Sequence, residues 1–135
     1  MDNLNPSDRS YRMSLIRAKD TRPEMVVRQM AHRLGYRFRL HDSSLPGRPD
    51  LVFPRLGKII FVHGCFWHRH PGCRLARLPK SKLDFWVPKL NGNRVRDLGN
   101  IEKLRRDGWR IKIVWECQTQ RLQQLQKTLE RFLGS

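Results

Sequence analysis

The segment Ile59–Cys73, IIFVHGCFWHRHPGC, decides how the rest of the chain is read. Ile59-Ile60-Phe61-Val62 is a β-branched and aromatic run, too short for a helix and bounded by Gly57 and Gly64, so it predicts a buried strand. His63 stands where that strand ends, at a sheet rim, where a side chain is held rigidly yet meets solvent and substrate. The following loop carries Cys65, His70 and Cys73, and Cys117 lies far downstream behind another predicted strand. Together they offer the thiolates and imidazole of a closed tetrahedral set suited to structural zinc. Against this, free cysteines are commonly small buried hydrophobes, and a C-x4-H-x2-C segment is less specific than paired C-x-x-C knuckles. Phe66 and Trp67 fall inside the same loop among polar and basic residues, where projection suits them better than core filling, although packing is the ordinary role of adjacent aromatics.

Moving toward the N-terminus, Asp50 directly precedes the apolar Leu51-Val52-Phe53. A hairpin through Pro54–Gly57 would set it beside His63, while an Asp at a loop–strand junction is otherwise a turn residue. Tyr36–Leu40 alternates apolar and basic residues, as a half-buried strand does, and His41–Pro49 is a loop by its Pro, Gly and Ser content. Thr21-Arg22-Pro23-Glu24 reads as a helix start with Glu24 closing a capping box. Val27, Met30, Ala31 and Leu34 form its apolar stripe and Gly35 ends it. That gives Glu24 a sufficient structural explanation. Residues 1–20 are polar and basic with apolar points at Met13, Leu15 and Ile16, which suits either a flexible arm that orders on its ligand or a frayed terminus.

Toward the C-terminus, residues 74–90 interleave basic side chains with Phe85 and Trp86 and are expected to be loop, cations neutralising phosphates while rings stack on bases or, more plainly, packing. Asn91–Asp107 predicts a helix burying Val95, Leu98, Ile101 and Leu104, with Asn93 and Asp97 together on its polar side. Trp109–Trp115 alternates as a strand. Leu122, Leu125, Leu129, Phe132 and Leu133 mark a closing helix. Helix, three strands, helix, strand, helix is an α/β or α+β order with a mixed sheet covered by helices, expected as one domain over residues 21–135.

The chain has 135 residues, enough for a core without disulfides, and 28 Lys and Arg against 12 Asp and Glu give it a net charge of +16. Such a surplus implies a polyanionic partner, nucleic acid first, but by itself does not separate an enzyme from a basic DNA- or RNA-binding module. No segment approaches the ~20 apolar residues needed to span a membrane and no signal peptide is seen, so a membrane role is not expected. A reducing cytoplasmic setting is.

The segment Ser44–Asp50 (SLPGRPD), the run His63–His68 (HGCFWH), the pair Phe85-Trp86, the segment Asn93–Asp97 and Val114–Cys117 (VWEC) closely resemble the very short patch repair (Vsr) DNA mismatch endonucleases. The match runs from about Arg9 to Cys117. The resemblance implies a restriction-endonuclease-like fold, helices on both sheet faces, and nicking 5′ to the thymine of T·G mismatches left by 5-methylcytosine deamination. It implies that Asp50 and the backbone carbonyl of Val62 hold Mg²⁺, that His68 is the general base oriented by Asp97, and that His63 and Glu24 are further active-site groups. Zinc would be held by Cys65, His70, Cys73 and Cys117. Phe66, Trp67 and Trp86 would wedge into the duplex, Met13 and Ile16 would approach from the other groove, and Lys89 and Asn93 would lie near the mispair. The resemblance further implies a bacterial, nucleoid-associated monomer coupled to MutL and a cytosine-5 DNA methyltransferase. The sequence departs from the family pattern at Val62, where Thr is usual, and in the Arg69 and Pro71-Gly72 region. The alternative is a non-catalytic, zinc-stabilised DNA-binding module.

Overall fold

The computed structural model describes residues 20–135. Met13, Ile16 and all but the last residue of the expected arm therefore lie outside the described residues. Helix α1 spans Arg22–Arg33 and is capped by Thr21, whose hydroxyl accepts the Glu24 N–H at 3.4 Å. The reciprocal half of the capping box is displaced: the Glu24 carboxylate accepts the N–H of Asp20 at 3.2 Å, one residue before the cap. Gly35, at φ +94°, ends the helix, a conformation open to glycine at little cost.

Among the described residues the sheet has four strands, in the order β1 (Arg39–Leu40), β2 (Leu51–Phe53), β3 (Lys58–His63) and β4 (Arg110–Trp115). β1, β2 and β3 form an antiparallel meander, whereas β3 and β4 run parallel, in register from Lys58 opposite Arg110 to His63 opposite Trp115. A parallel neighbour needs a crossover, supplied by helix α2 (Leu83–Arg106); helix α3 (Leu122–Leu133) closes the described chain. β1 is shorter than the expected Tyr36–Leu40, because Tyr36 and Phe38 pack their rings against Phe53, centroids 6.4 and 5.6 Å away, ahead of the paired segment.

Alternation along β2 and β3 assigns each apolar residue to a face. Leu51, Phe53, Ile60 and Val114 meet Val27, Met30 and Ala31 of α1 and Leu125, Leu129 and Leu133 of α3. Val52, Ile59, Phe61, Ile111 and Ile113 meet Ile101 and Leu104 of α2. Helices thus cover both faces, as expected. Lys58 is only 2% exposed at the base of β3, and its ammonium donates to the carbonyls of Phe132, Leu133 and Ser135 at 2.6, 3.3 and 2.8 Å, a cation placed against the carbonyl end of α3.

The sequence placed α2 incorrectly in two respects. The helix begins at Leu83, so Phe85 and Trp86 are helical and Pro88 lies inside it. Pro88 forfeits a backbone hydrogen bond, and the helix continues past it with Leu90 and Asn93 buried. The inward face is also different: Val95 and Leu98 are 69% and 59% exposed, while Leu90, Asn93, Ile101 and Leu104 are buried.

Candidate active site and metal cluster

The parallel pairing of β3 with β4 and the meander with β2 bring Asp50, His63 and the end of β4 to one rim of the sheet. Asp50 follows a buried Pro49 and its carboxylate accepts the Val62 N–H at 2.7 Å. Burial pushes the Asp50 carboxyl up to about 7, the Val62 N–H opposes that rise, the neighbouring Glu24 charge adds to it and His41 counteracts it. An acid in this state binds either a proton or a cation near neutrality.

His63, at the end of β3, stacks on His68 with ring centroids 3.9 Å apart and planes 9° from parallel. His68 is brought back over the strand end by its N–H to the Gly64 carbonyl at 3.1 Å, and its Nδ1 meets Oδ2 of Asp97 at 2.6 Å. Asp97 reaches it from α2. A cavity of about 160 Å³ is lined by Asp50, His63, His68 and Asp97 together with Gly47, Arg48 and Asn100. Asp50, Val62 and His68 also line a neighbouring cavity of about 330 Å³ that includes Glu24, Phe66, Trp67 and Glu116. The groups named from sequence as catalytic thus converge on one rim, Glu24 from the second cavity.

Glu24 is 2% exposed. His41 Nε2 lies 2.9 Å from both of its carboxylate oxygens, and Arg28 donates to it at 3.3 Å and to Asp20 at 2.7 Å. Sequence reading missed His41 and Arg28 here; Arg28 at i+4 from Glu24 was a visible signal, whereas His41 arrives through loop geometry.

Cys65, His70, Cys73 and Cys117 bring one ligand atom each to within 4.8 Å of one another and could hold a metal ion. The His70 Nδ1 is 3.5 Å from the Cys65 sulfur and 3.6 Å from that of Cys117. Burial pushes the Cys65 thiol up to about 12 and lowers the His70 pKa, directions that favour the neutral thiol and the neutral imidazole. Trp115, at the end of β4, stacks on His70 at 4.1 Å and meets His63 edge-on at 5.3 Å. Glu116 accepts the Cys65 N–H at 3.2 Å. None of these three contacts was foreseen from sequence.

Phe66, Trp67, Phe85 and Trp86 make one aromatic ridge, with Phe66 and Trp67 5.2 Å apart, Phe66 and Trp86 5.4 Å, and Phe85 and Trp86 5.0 Å. Phe85 is exposed, and Phe66, Trp67 and Trp86 are half-buried. Asn93 is buried and donates to the Trp67 carbonyl at 3.2 Å, bracing the aromatic loop from α2, while Lys89 is half-buried one turn earlier. No helix among the described residues is long and apolar enough to cross a membrane.

An acid and a His–Asp pair converging on the rim of a mixed sheet, on a strongly basic chain with a ridge of aromatic rings, suit a class of protein: an endonuclease acting on DNA. Comparison with known proteins gives the same answer. The model of the DNA mismatch endonuclease Vsr family matches residues 1–74, and the chain belongs to that family. It is 50% identical over 132 residues to the type II nicking enzyme V.XorIIP of Xanthomonas oryzae pv. oryzae, covering 98% of this chain and 96% of that one. It is 43% identical over 109 residues to the DNA mismatch endonuclease Vsr of Escherichia coli, covering 81% and 69%, and 38% identical over 117 residues to the type II nicking enzyme V.NmeAIP of Neisseria meningitidis, covering 87% and 83%.

Proposed function

We propose that this chain nicks one DNA strand 5′ to the thymine of T·G mismatches, starting very short patch repair. The observation that carries the reading is the convergence of Asp50, His63, His68 and Asp97 on one cavity, with His68 bound to Asp97 at 2.6 Å. In this reading His68 takes a proton from the attacking water, and the Nδ1–Asp97 contact fixes the ring orientation and stabilises the imidazolium that forms. His63 keeps the base in place by stacking, and Glu24 adds negative charge behind Asp50.

Asp50 and the Val62 carbonyl fit Mg²⁺, a hard cation that binds oxygen and, when bound, neutralises charge developing on the phosphoryl oxygens. In a strand a residue's N–H and C=O face the same neighbour, so the Val62 carbonyl shares the side on which its N–H meets Asp50. Two nearby carboxylates with the Asp50 proton affinity raised are the electrostatic setting a cation relieves.

Zinc suits the second cluster. Zn–S of about 2.3 Å and Zn–N of about 2.05 Å at a tetrahedral angle place sulfur and nitrogen ~3.6 Å apart, against the observed 3.5 and 3.6 Å. In this reading the ion ties the aromatic loop to the end of β4. Phe66, Trp67 and Trp86 wedge into the duplex with Met13 and Ile16 of the arm, and Lys89 and Asn93 lie near the mispair. A T·G wobble stacks poorly, so unstacking it costs less than unstacking a Watson–Crick pair. We further place residues 21–135 in one restriction-endonuclease-like domain that acts as a monomer in the bacterial cytoplasm, coupled to MutL and a cytosine-5 methyltransferase.

The test is cleavage of a T·G duplex beside a matched T·A control with Mg²⁺ present, for wild type and Asp50→Ala. Nicking confined to T·G, lost in the variant with DNA binding retained, supports the reading. Equal cleavage of both duplexes, or none, would sink it.

A further inference from the structure

Arg48 is solvent-exposed, yet the backbone that carries it is held on both sides. Leu45-Pro46-Gly47-Arg48 closes as a turn, with the Arg48 N–H donating to the Leu45 carbonyl at 3.1 Å. Proline at its second position and Gly47 at φ +77° match a type II turn. The turn is docked on α2: a Cβ added to Gly47 would lie 3.0 Å from that of Asn100. On the other side the chain is pinned by the buried Pro49 and by the Asp50–Val62 bond of 2.7 Å. Between these anchors Arg48 sits at φ +46°, in the left-handed region that side chains other than glycine and asparagine occupy at a cost. Strain of this kind collects where a side chain is needed in one place.

That place is the cavity of Asp50, His63, His68 and Asp97, which Arg48 lines. Among the described residues its side chain makes no ion pair or hydrogen bond, and no other Lys or Arg lines the cavity. The cavity otherwise offers two carboxylates, two imidazoles and the uncharged amide of Asn100. A phosphodiester entering it is an anion, and in-line attack adds negative charge to its non-bridging oxygens. A guanidinium stays charged at every working pH and presents a planar fork that matches two such oxygens.

We propose that Arg48 is a catalytic residue that donates hydrogen bonds to a non-bridging oxygen of the scissile phosphate and stabilises the charge that grows there. It exchanges no proton. The inference rests on the endonuclease reading and adds a group to its site.

Arg48→Gly, Arg48→Gln and Arg48→Lys separate the side chain from the backbone. Each is assayed for single-turnover nicking of a T·G duplex, for affinity for the same duplex without Mg²⁺, and for urea stability. The expectation is that Gly and Gln variants cut ~100- to 1000-fold more slowly, that affinity falls far less than rate, and that Lys is intermediate. Arg48→Gly is expected to be at least as stable as wild type, because glycine accepts positive φ freely. A Gly variant that nicks at the wild-type rate, or an affinity loss as large as the rate loss, overturns the role of Arg48 while leaving the endonuclease intact. A wild type that nicks nothing overturns both.

Discussion

Asp50→Asn is expected to make the protein more stable and inactive. The carboxyl is displaced from its ordinary 3.8 to about 7, chiefly by burial. Each tenfold change in proton affinity is worth about 1.4 kcal/mol, so the displacement corresponds to a ceiling of ~4 kcal/mol, and residual solvent access brings the expected effect to ~2–4 kcal/mol. The sign follows from a folded-state affinity that is raised. The neutral carboxyl is the form the fold favours, so its contribution is fully present below pH ~4, is lost as the pH rises toward 7, and stays lost above that. Asparagine keeps an oxygen to accept the Val62 N–H at 2.7 Å and carries no charge beside Glu24. Urea unfolding of both proteins in Mg²⁺-free buffer at pH 5, 6, 7 and 8 should show the variant's advantage growing with pH and levelling above 7. Adding Mg²⁺ at pH 8 should stabilise the wild type alone, since only its site binds the ion, and the variant should not nick a T·G duplex. A variant no more stable than wild type at pH 8, or an advantage that does not vary with pH, would refute the reasoning.

Cys117→Ser should lower bound zinc measured by atomic absorption and reduce the melting temperature, because the loop from Cys65 to Cys73 would no longer be tied to the end of β4. Asp97→Asn should slow single-turnover nicking by ~100-fold or more with little change in DNA affinity, since the base would lose the partner that orients its ring. Lys58→Met should cost about 2 kcal/mol in urea unfolding by leaving the last carbonyls of α3 without their cation, and nicking should be unchanged at 25 °C. Leu104→Ala should cost ~2–5 kcal/mol, whereas Leu98→Ser should fall within ~0.5 kcal/mol of wild type; the reverse ranking would show that α2 presents the other face to the sheet.

The α2 comparison explains how far the sequence was legible. Where the inward positions are mostly apolar, the pattern could be read directly: β3, the hairpin from Phe53 to Lys58, α1 and α3 all stand where periodicity places them, although Glu24 of α1 and Lys58 of β3 are buried too. In α2 it could not, because the inward face passes the active site. There Asn93 and Asp97 occupy core-facing positions, one bracing the Trp67 carbonyl and the other holding His68, while Val95 and Leu98 were left as the obvious apolar pair and proved to face outward. Polar side chains facing the candidate site displaced the helical stripe, which is how local rules fail at such places. The residues around Asp50 divide similarly. Asp50 itself could be suspected from a strand boundary, and the cysteines and His70 from spacing. His41 and Arg48 could not, because what brings them to the site is backbone at φ +49° and +46°, which a sequence pattern does not encode for residues other than glycine and asparagine. The same geometry gives the SLPGRPD segment a physical account beyond family resemblance. The Pro-Gly turn seats the chain against Asn100, the following proline stiffens the approach to β2, and between them a guanidinium and a carboxylate are delivered to one cavity.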